Sequence, residues 1–509
     1  MSDSRRFIPR SVFSILIIAL TLRLVATFFA QGYMAHDDHF ETVEIAWSWH
    51  QQGMFLEDGS LRWEGKPDIG VMRSAVYNLF LLGLMKLTGL AGVVRLDAHM
   101  YFDRFMHALL SLLPIVFGYK YLKDETDERT AIWGALALSC YFVMPYLSVR
   151  NLVEMVAADL LLPCLYYANR AMKQDSIRAN ILAAIFGGLA FAVRPQVALA
   201  LCIVPFAMGI QCRKWKSAVV FTGAMVAALA LQGLFDIYTH GKFMGSVSNY
   251  IVGNLGAPPT IPGPWYRYVI LLFALFIPPF AIVFLGSMFQ KRVIRDHLIM
   301  WSATILFVVG HSVIVNKQER FMIPILPVMI VLGCVGLYYW QRSLRPGSIQ
   351  GRVTRWLLVS AVTINLILLI PFTINYGKRG AIEPLVYLAH QQDAQEVVFD
   401  ATERRLFIPY SYWDNDRSGA VPLFAPSDLD SALAQGRVSR HDPPTYAVIF
   451  TDNNLEQHLQ ILREKLGEYE PVFHGRPSLI DNLANRLNPK YNRRNESWVV
   501  RRSRSSGAN

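Results

Sequence analysis

Apolar runs long enough to cross a bilayer recur along the chain as far as residue 375. A hydrocarbon core about 30 Å thick requires about 20 apolar residues per helix. These runs predict eleven transmembrane helices, near residues 11–31, 100–120, 130–148, 151–169, 179–193, 196–211, 217–236, 267–289, 298–315, 322–341 and 355–374. No small-residue cleavage site follows the first run, so we expect that helix to be retained. The pattern predicts a polytopic α-helical membrane protein.

The basic residues are concentrated in alternate loops. One side contains Arg5, Arg6, Arg10, Lys120, Lys123, Arg129, Arg170, Lys173, Arg178, Arg213, Lys214, Lys216, Lys291, Arg292, Arg295, Arg342, Arg345, Arg352 and Arg355. The opposite short loops contain Arg150, Arg194, Lys242, Lys317 and Arg320. Because Lys and Arg favour cytoplasmic loops, we predict a cytoplasmic amino terminus. An odd number of crossings then places the chain after Tyr376 outside the cytoplasm.

Composition supports the membrane class. Hydrophobic residues make up 53% of the 509 residues and charged residues 17%, below the fraction of about a quarter typical of soluble domains. These values exclude an ordinary cytosolic enzyme, a disordered chain and a collagen-like repeat. The net charge of +11 is explained by the loop bias, so we expect no nucleic-acid partner. The five cysteines lie in or beside apolar stretches without metal-ligand spacing, and we expect them to be packed thiols.

Two predicted outer regions are too long to be simple connections. Region 32–99 includes the run Val71–Leu90, which is typical of an interfacial or re-entrant helix, although two additional spans would also fit. Region 376–509 alternates helical patterns with strand-like runs at 397–399, 446–450 and 498–500, and ends in a basic tail. We therefore predict a transmembrane module over 1–375, with outer loops at 32–99 and 237–266, and an extracytoplasmic α/β domain over 376–509.

Polar residues gather on the predicted outer side, where ionisable groups beside membrane helices suggest a functional site. The densest group is His36, Asp37, Asp38, His39 and Glu41, directly after the first helix. A carboxylate here could serve as a general base, bind a divalent cation together with the histidines, or cap a helix. The residues alone leave these three alternatives open.

Further polar groups follow on the same side. Arg150 and Glu154 are four residues apart, a spacing that places two side chains on one helix face, and Arg194 lies between two short spans. Tyr238 belongs to the loop 237–266, whose glycines, prolines and asparagines suit either a lid or a static connection. Arg150 and Glu154 could instead form a local ion pair that fixes the helix end, and Arg194 could anchor its segment at the membrane surface.

The next group contains His311, Lys317, Glu319 and Arg320. Its two cations lie on the side where the positive-inside rule disfavours them. A bound anion such as a phosphate would explain this exception.

In this order the motifs resemble those of glycosyltransferase family 22, the polytopic mannosyltransferases of the GT-C fold. The segment 35–41 is similar to the family's His-Pro-Asp-Glu-x-Phe-Gln, with Asp37 at the aspartate position. Arg73-Ser74 with Tyr77 resembles Arg-Ser-x-x-Tyr, and the stretch 150–154 resembles Arg-x-Leu-x-x-x-x-Glu with altered spacing. Arg194-Pro195 matches Arg-Pro-Thr except for Gln196, and 311–327 resembles the His-Ser…His-Lys-Glu-x-Arg-Phe-x-x-Pro-x-x-Pro box. The likeness spans residues 30–330.

The resemblance implies an inverting transfer of mannose from a polyprenyl or dolichyl phosphate to a hydroxyl of a glycan or glycolipid. We assign Asp37 as the general base and Asp38 as its partner. Arg320, Lys317, Arg194 and His311 are expected to contact the donor phosphate. The residues expected to orient the sugar or acceptor are His36, His39, Glu41, Arg73, Arg150, Glu154, Glu319 and Tyr238. We expect no metal or other cofactor, since the leaving group already faces cations.

Other functions remain open from the sequence. A transporter or flippase for a lipid-linked sugar would also place charges in a membrane cavity, and a receptor could use residues 376–509 to bind a partner. Within the GT-C class the donor could carry arabinose, aminoarabinose or glucose. We predict a bacterial inner membrane with the site facing the periplasm, and an endoplasmic-reticulum membrane with the site facing the lumen as the alternative.

Overall fold

The computed structural model describes residues 10–57, 59–63, 72–256, 261–403, 406–413, 418–490, 492 and 494–503. Its helices through residue 256 are Arg10–Phe29, His36–Asp38, His39–Val43, Glu44–Gln52, Ala75–Leu90, Leu96–Leu110, Leu113–Glu125, Glu128–Cys140, Met144–Ser148, Val153–Gln174, Ile177–Val193, Pro195–Val197, Ala198–Leu201, Ile203–Phe206, Ala207–Gln211, Trp215–His240 and Gly245–Gly256. Those that follow are Arg267–Leu275, Phe280–Ser287, Lys291–Asp296, Leu298–Val313, Glu319–Ile325, Leu326–Ser343, Ile349–Thr373, Arg379–Leu388, Tyr410–Tyr412, Asp428–Ala434, Leu455–Leu466 and Leu479–Leu487.

Each predicted span coincides with one or more helices, but these helices differ in length. Among the described residues, five helical stretches are long and apolar enough to cross a membrane: Val12–Phe29, Leu96–Glu125, Trp215–His240, Glu319–Ser343 and Ile349–Thr373. The segment predicted at 267–289 is two helices bent by 112°, and other predicted spans are shorter apolar helices. The chain is a polytopic helical membrane protein, while the count of eleven spans is not established.

The helix Val153–Gln174 is buried along most of its length, and Glu154 and Asp159 are among its buried residues. Asp159, in its second turn, is 2% exposed, and its charged neighbour is the fully buried Arg23 of the first helix. The Arg23 guanidinium also donates to the Ser111 hydroxyl at 2.7 Å and to the carbonyl oxygen of Ser139 at 3.2 Å. The charge on a buried guanidinium is costly unless it is paired and hydrogen-bonded. These contacts therefore give Asp159 the internal, structural role that its depth in the helix suggests.

A five-stranded sheet forms the carboxyl-terminal part of the chain. Its strands are β1 Val397–Asp400, β2 Ala420–Leu423, β3 Tyr446–Ile449, β4 Tyr469–Gly475 and β5 Ser497–Arg502, in the spatial order β2-β1-β3-β5-β4. β1 runs parallel to β2 and β3, and β5 runs antiparallel to β3 and β4. The predicted strands β1, β3 and β5 and the helix Leu455–Leu466 are present, so the α/β prediction is confirmed.

The two strands that the sequence does not reveal are the two edges of this sheet. β2 contains Pro422 and β4 contains Pro471, and proline interrupts the pattern by which strands are recognised. Because proline cannot donate to a strand ladder, within sheets it is tolerated mainly on edge strands. The same residues that hide these strands from a pattern search thus fit their position at the edges.

The chain forms two compact units. The helical unit comprises residues 1–27, 55–81 and 104–373, and the sheet-containing unit comprises residues 28–54, 82–103 and 374–509. In the second unit the backbone N–H of Gly377 donates to the carbonyl oxygen of Gln31 at 2.9 Å. The acidic segment that follows the first helix therefore belongs to the same compact unit as the sheet.

A buried histidine near the start of the helix Leu455–Leu466 links that helix to the carboxyl end of β1. His458 bonds through Nδ1 to Asp400 Oδ2 at 2.6 Å and through Nε2 to Glu403 Oε1 at 3.2 Å. These hydrogen bonds, led by the one to Asp400, outweigh burial and raise the pKa of His458. Burial alone would raise the pKa of Asp400 and of Glu403, but hydrogen bonds from His458 and neighbouring donors lower both.

We expect this cluster to make the stability of the sheet depend on pH. Stabilisation by a raised His458 pKa is fully present below about pH 6.5 and is lost as pH rises through the raised value. Stabilisation by the lowered carboxyl pKa values is present above about pH 4 and is lost on further acidification. Hydrogen–deuterium exchange of β1, corrected for intrinsic rates, should show protection decreasing by about 1–2 kcal/mol on the alkaline side.

The matched control is His458→Gln, which keeps a polar side chain without the titration. Its protection should be lower at neutral pH and nearly constant from there to alkaline pH. An unchanged alkaline profile in this variant would show that another group controls the stability of the sheet.

Candidate active site

The acidic segment is the start of a helix rather than a loop. His36–Asp38 begins it, a π-helical turn follows over His39–Val43, and Glu44–Gln52 continues it. The residue before the helix, Ala35, has an extended backbone and no side-chain cap. The capping alternative for the two aspartates is therefore wrong. Both carboxylates instead lie in the first turn, where the helix dipole favours negative charge.

The two aspartates differ in exposure. Asp37 is partly exposed, whereas Asp38 is 1% exposed. A general base must reach the hydroxyl from which it takes the proton, so Asp37 is the better placed of the two for contact with a substrate. The role of Asp38 as its partner stays a prediction.

Aromatic rings surround the neighbouring histidines. His36 packs against Phe40 and Phe407, with ring centroids 4.4 and 4.3 Å away. His39 is stacked between Tyr33 at 4.7 Å and Tyr412 at 5.6 Å, and its Nε2 lies 3.3 Å from Glu44 Oε1. His39 is thus enclosed by protein groups, while Glu41 is partly exposed on the same helix. Their assignment to the sugar or acceptor stays a prediction.

In the helical unit, Glu154 gathers two arginines from distant parts of the sequence. Its carboxylate Oε1 lies 2.8 Å from Arg194 Nη2 and 3.4 Å from Arg320 Nη1. Exposure is 0% for Glu154, 3% for Arg194 and 8% for Arg320. We call these three residues the arginine–glutamate cluster. Within these three residues, one buried carboxylate holds two guanidinium groups close together.

Two glutamines that depart from the family motif hold these guanidinium groups. Arg194 Nε donates to Gln196 Oε1 at 3.0 Å, and Arg320 Nε donates to Gln318 Oε1 at 2.7 Å. Both guanidinium groups also lie 5.6 to 5.7 Å from the centre of the Phe321 ring. The sequence indicates no role for either glutamine. Each glutamine is two residues from its arginine in the sequence, and this spacing is the signal that could have indicated the contact.

The Lys317 side chain caps the carboxyl end of a helix. Its ammonium donates to the carbonyl oxygens of His311 at 3.0 Å and Ser312 at 2.8 Å, and also to that of Ile314. These residues close the helix Leu298–Val313, whose last carbonyls have no partner within the helix. An ammonium has three N–H donors, and all three are directed at the backbone. A phosphate contact by Lys317 stays a prediction and would require the ammonium to leave these carbonyls.

His311 is 1% exposed and borders the arginine–glutamate cluster, with its ring centroid 6.1 Å from that of Phe321. Its Nδ1 bonds to the carbonyl oxygen of Phe307 at 2.9 Å, and Nε2 has no hydrogen-bond partner among the described residues. Nδ1 must therefore carry a proton, and Nε2 of the neutral ring is an acceptor. Such an acceptor fits a sugar hydroxyl, whereas the predicted phosphate contact requires the doubly protonated ring.

The remaining predicted residues are placed separately within the helical unit. Arg150 lies before the helix that begins at Val153, so it does not share a helix face with Glu154 as its spacing suggested. Its guanidinium instead lies 4.2 Å from the Tyr146 ring centre. Glu319 pairs with Arg267 and is half-exposed.

Arg73 and Tyr238, two other predicted residues, lie near the carboxyl end of the helix Trp215–His240. His240 Nε2 bonds to the carbonyl oxygen of Arg73 at 3.1 Å. Tyr238 is 66% exposed and contacts Phe55 edge-on. Within the described part of the predicted loop 237–266, residues Gly245–Gly256 form a helix, which the sequence did not indicate.

The arrangement of the described residues does not support the alternative of a metal-binding site. Across the described residues, no group of three or more His, Cys, Asp or Glu side chains is placed to hold a metal ion. Independence from metal stays a prediction of the sequence.

The fold is shared with solved membrane proteins. ArnT from Cupriavidus metallidurans bound to undecaprenyl phosphate aligns with a TM-score of 0.59 and 14% identity, over 98% of this chain and 99% of that one. The Archaeoglobus fulgidus oligosaccharyltransferase in its apo form aligns with a TM-score of 0.52 and 11% identity, over 93% and 74%. These likenesses define a GT-C fold with a carboxyl-terminal sheet domain.

The sequence profile of the Alg9-like mannosyltransferase family matches residues 14–405, and the chain belongs to this family. Mannosyltransferase APTG1 of Arabidopsis thaliana is 23% identical over 363 residues, 68% of this chain and 62% of that protein. Human GPI alpha-1,2-mannosyltransferase 3 is 23% identical over 324 residues, 62% of this chain and 56% of that protein. The chain thus matches 56% to 62% of the length of these relatives. The resemblance to glycosyltransferase family 22 is confirmed.

Proposed function

We propose that the protein is an inverting membrane mannosyltransferase that uses a polyprenyl or dolichyl phosphate donor and a hydroxyl acceptor on a glycan or glycolipid. The observation that carries this proposal is the arginine–glutamate cluster in a chain of the mannosyltransferase family. Glu154 holds the two buried guanidinium groups close together, so that one phosphate could contact both. Arginine presents a rigid fork of N–H donors that matches phosphate oxygens.

The chemistry assigned to the chain is a single displacement. As the acceptor oxygen attacks the anomeric carbon, the Asp37 carboxylate takes its proton, and the bond from that carbon to the phosphate oxygen breaks. Negative charge grows on the departing phosphate, where Arg194 and Arg320 stabilise it. One displacement inverts the anomeric centre, so a β-linked donor yields an α-mannoside. We assign the sugar hydroxyls, rather than the phosphate, to Nε2 of His311.

The donor, acceptor and membrane are inferred from the relatives. ArnT binds undecaprenyl phosphate, which favours a polyprenyl phosphate donor here. The GPI mannosyltransferase relatives favour mannose as the sugar and a glycolipid as the acceptor. We propose a bacterial inner membrane with the site on the periplasmic side, with the lumenal side of an endoplasmic-reticulum membrane as the alternative. Membership in a mannosyltransferase family favours a transferase over a flippase.

The proposal is tested with purified protein in lipid nanodiscs. Radiolabelled polyprenyl phosphate mannose is supplied together with membrane lipid extracts, and the labelled product is identified. Polyprenyl phosphates carrying glucose, arabinose or aminoarabinose are supplied in parallel to determine the sugar. Label that crosses the bilayer without entering a new glycosidic bond would indicate a flippase instead. Transfer that persists in a chelator would support independence from metal.

A substitution in the arginine–glutamate cluster tests its role in donor binding. Arg320→Gln should lower kcat/KM by about 10- to 100-fold, through both a raised KM for the donor and a lowered kcat, because charge-assisted hydrogen bonds are each worth about 1.5–3 kcal/mol and this contact strengthens as charge grows on the phosphate. Arg295→Gln is the control, since Arg295 is exposed and pairs locally with Asp296. If well-folded Arg320→Gln protein bound the donor as tightly as the unchanged protein, Arg320 would not contact the phosphate.

A further inference from the structure

The helix Leu479–Leu487 presents three leucines to the outside of the protein. Leu479 is 72% exposed, Leu483 49% and Leu487 77%, with the whole described chain present. The residues are four apart, and at 3.6 residues per turn they lie within about 80° of arc on one face. Isolated exposed leucines are common, but a continuous apolar face on a short helix usually contacts an apolar partner.

The polar face of the same helix is attached to the sheet-containing unit. The carboxylate of Asp481 accepts the backbone N–H of Lys378 at 3.1 Å, and the amide of Asn485 donates to the carbonyl oxygen of Asn492 at 2.6 Å. The Ser478 hydroxyl caps the first turn by accepting the N–H of Asp481 at 3.1 Å. These bonds hold the helix by its polar side and leave the leucines facing outward.

The attachment point lies close to the ends of two membrane spans. Lys378 is five residues beyond Thr373, where the candidate span Ile349–Thr373 ends, so at most about 18 Å of extended chain separates them. The preceding residue, Gly377, is bonded to Gln31, which is two residues beyond the end of the candidate span Val12–Phe29. Because spans end at the membrane surface, this short connection limits how far the attachment point at Lys378 can lie from that surface.

We propose that Leu479–Leu487 is an interfacial helix, which inserts its leucines into the boundary between lipid headgroups and acyl chains. An amphipathic helix at this level lies in the plane of the membrane and buries its apolar face. The exposed Arg486 and Lys490 at its carboxyl end then lie at the level of the lipid phosphates, with which their charges are complementary. The helix seats the sheet-containing unit on the bilayer. This inference does not depend on the proposed transfer reaction.

Spin labels on the full-length protein in nanodiscs of neutral and anionic phospholipid test the proposal. The five native cysteines are replaced by alanine or serine, and a nitroxide is attached in separate proteins at Leu483→Cys and at Asn482→Cys. Asn482 is the matched control, because it is adjacent in sequence and about 100° away around the helix. The ratio of accessibility to oxygen over a water-soluble nickel chelate should be several-fold higher at 483 than at 482.

Equal, water-like ratios at both positions would overturn the proposal. So would dipolar broadening at 483 that disappears on dilution with unlabelled protein, because it would show a second copy covering the leucines. Leu479→Cys gives an independent position on the same face, so a local distortion by one label cannot decide the result. An unchanged melting transition of each labelled protein is required before its ratio is compared.

Discussion

Replacing Glu154 with glutamine is expected to destabilise the protein by about 3–5 kcal/mol, because the change removes a buried counter-charge from two buried guanidinium groups. Glu154 is fully buried and lies 2.8 Å from Arg194 and 3.4 Å from Arg320. Glutamine has nearly the same volume, so the packing of Val153–Gln174 is retained and the lost charge is the main change. The expected result is a large decrease in thermal stability in detergent, measured as loss of monodisperse protein after heating.

Glu319→Gln is the matched control. It removes the same charge from a pair with Arg267 that is half-exposed, and exposed pairs contribute about 0–1 kcal/mol. The double variant Glu154→Gln with Arg320→Gln should recover part of the lost stability, since one of the two guanidinium charges that face position 154 is also removed. Equal melting temperatures for Glu154→Gln and the unchanged protein would mean that Glu154 is not the counter-charge on which the two buried guanidinium groups depend.

The apolar runs located the helices well, and their failures have physical causes. Run length cannot show where a helix breaks, and the run at 267–289 is two helices bent by 112°. Nor does it show which helices are covered by protein. In Val153–Gln174 the buried Glu154 and Asp159 interrupt the apolar composition expected of a lipid-facing span. The helical class therefore followed from the sequence, whereas the number of crossings did not.

The site residues were identified individually, but their pairing was not. The sequence placed Glu154 beside Arg150 because local spacing was the information available. In the folded chain Glu154 pairs with Arg194 and Arg320, which are 40 and 166 residues further along. Gln196 departs from the family motif, and in the structure its side-chain oxygen accepts a hydrogen bond from Arg194. Contacts between distant segments depend on how the helices pack, and this packing cannot be read from a single sequence.

The exposure of the side chains also distinguishes residues that the sequence could only treat as one polar group. His36, Asp37, Asp38 and His39 read as one polar run, yet the helix directs them differently. His39 is enclosed by two tyrosines, Asp38 is buried, and Asp37 is partly exposed. Adjacent residues on a helix point about 100° apart. Among the two carboxylates, this leaves Asp37 as the one whose removal should affect chemistry more than folding.

Asp37→Asn is expected to lower kcat by about 10²–10⁴-fold, because the amide cannot accept the acceptor hydroxyl's proton and general base catalysis contributes that much. KM for the donor should change little, since the phosphate is assigned to Arg194 and Arg320 and not to Asp37. Asp37 is partly exposed, so the melting temperature should be close to that of the unchanged protein. The measurement is mannose transfer by purified protein in nanodiscs, with donor concentration varied.

Glu396→Gln is the control for this change, because it converts an exposed carboxylate of the same compact unit into an amide. It should leave both kcat and KM unchanged. The contrast with Arg320→Gln is also informative, since that variant should raise the donor KM as well as lower kcat, whereas Asp37→Asn should act mainly on kcat. Near-normal turnover by Asp37→Asn would show that another group accepts the proton. A parallel rise in the donor KM would show instead that Asp37 helps to bind the donor.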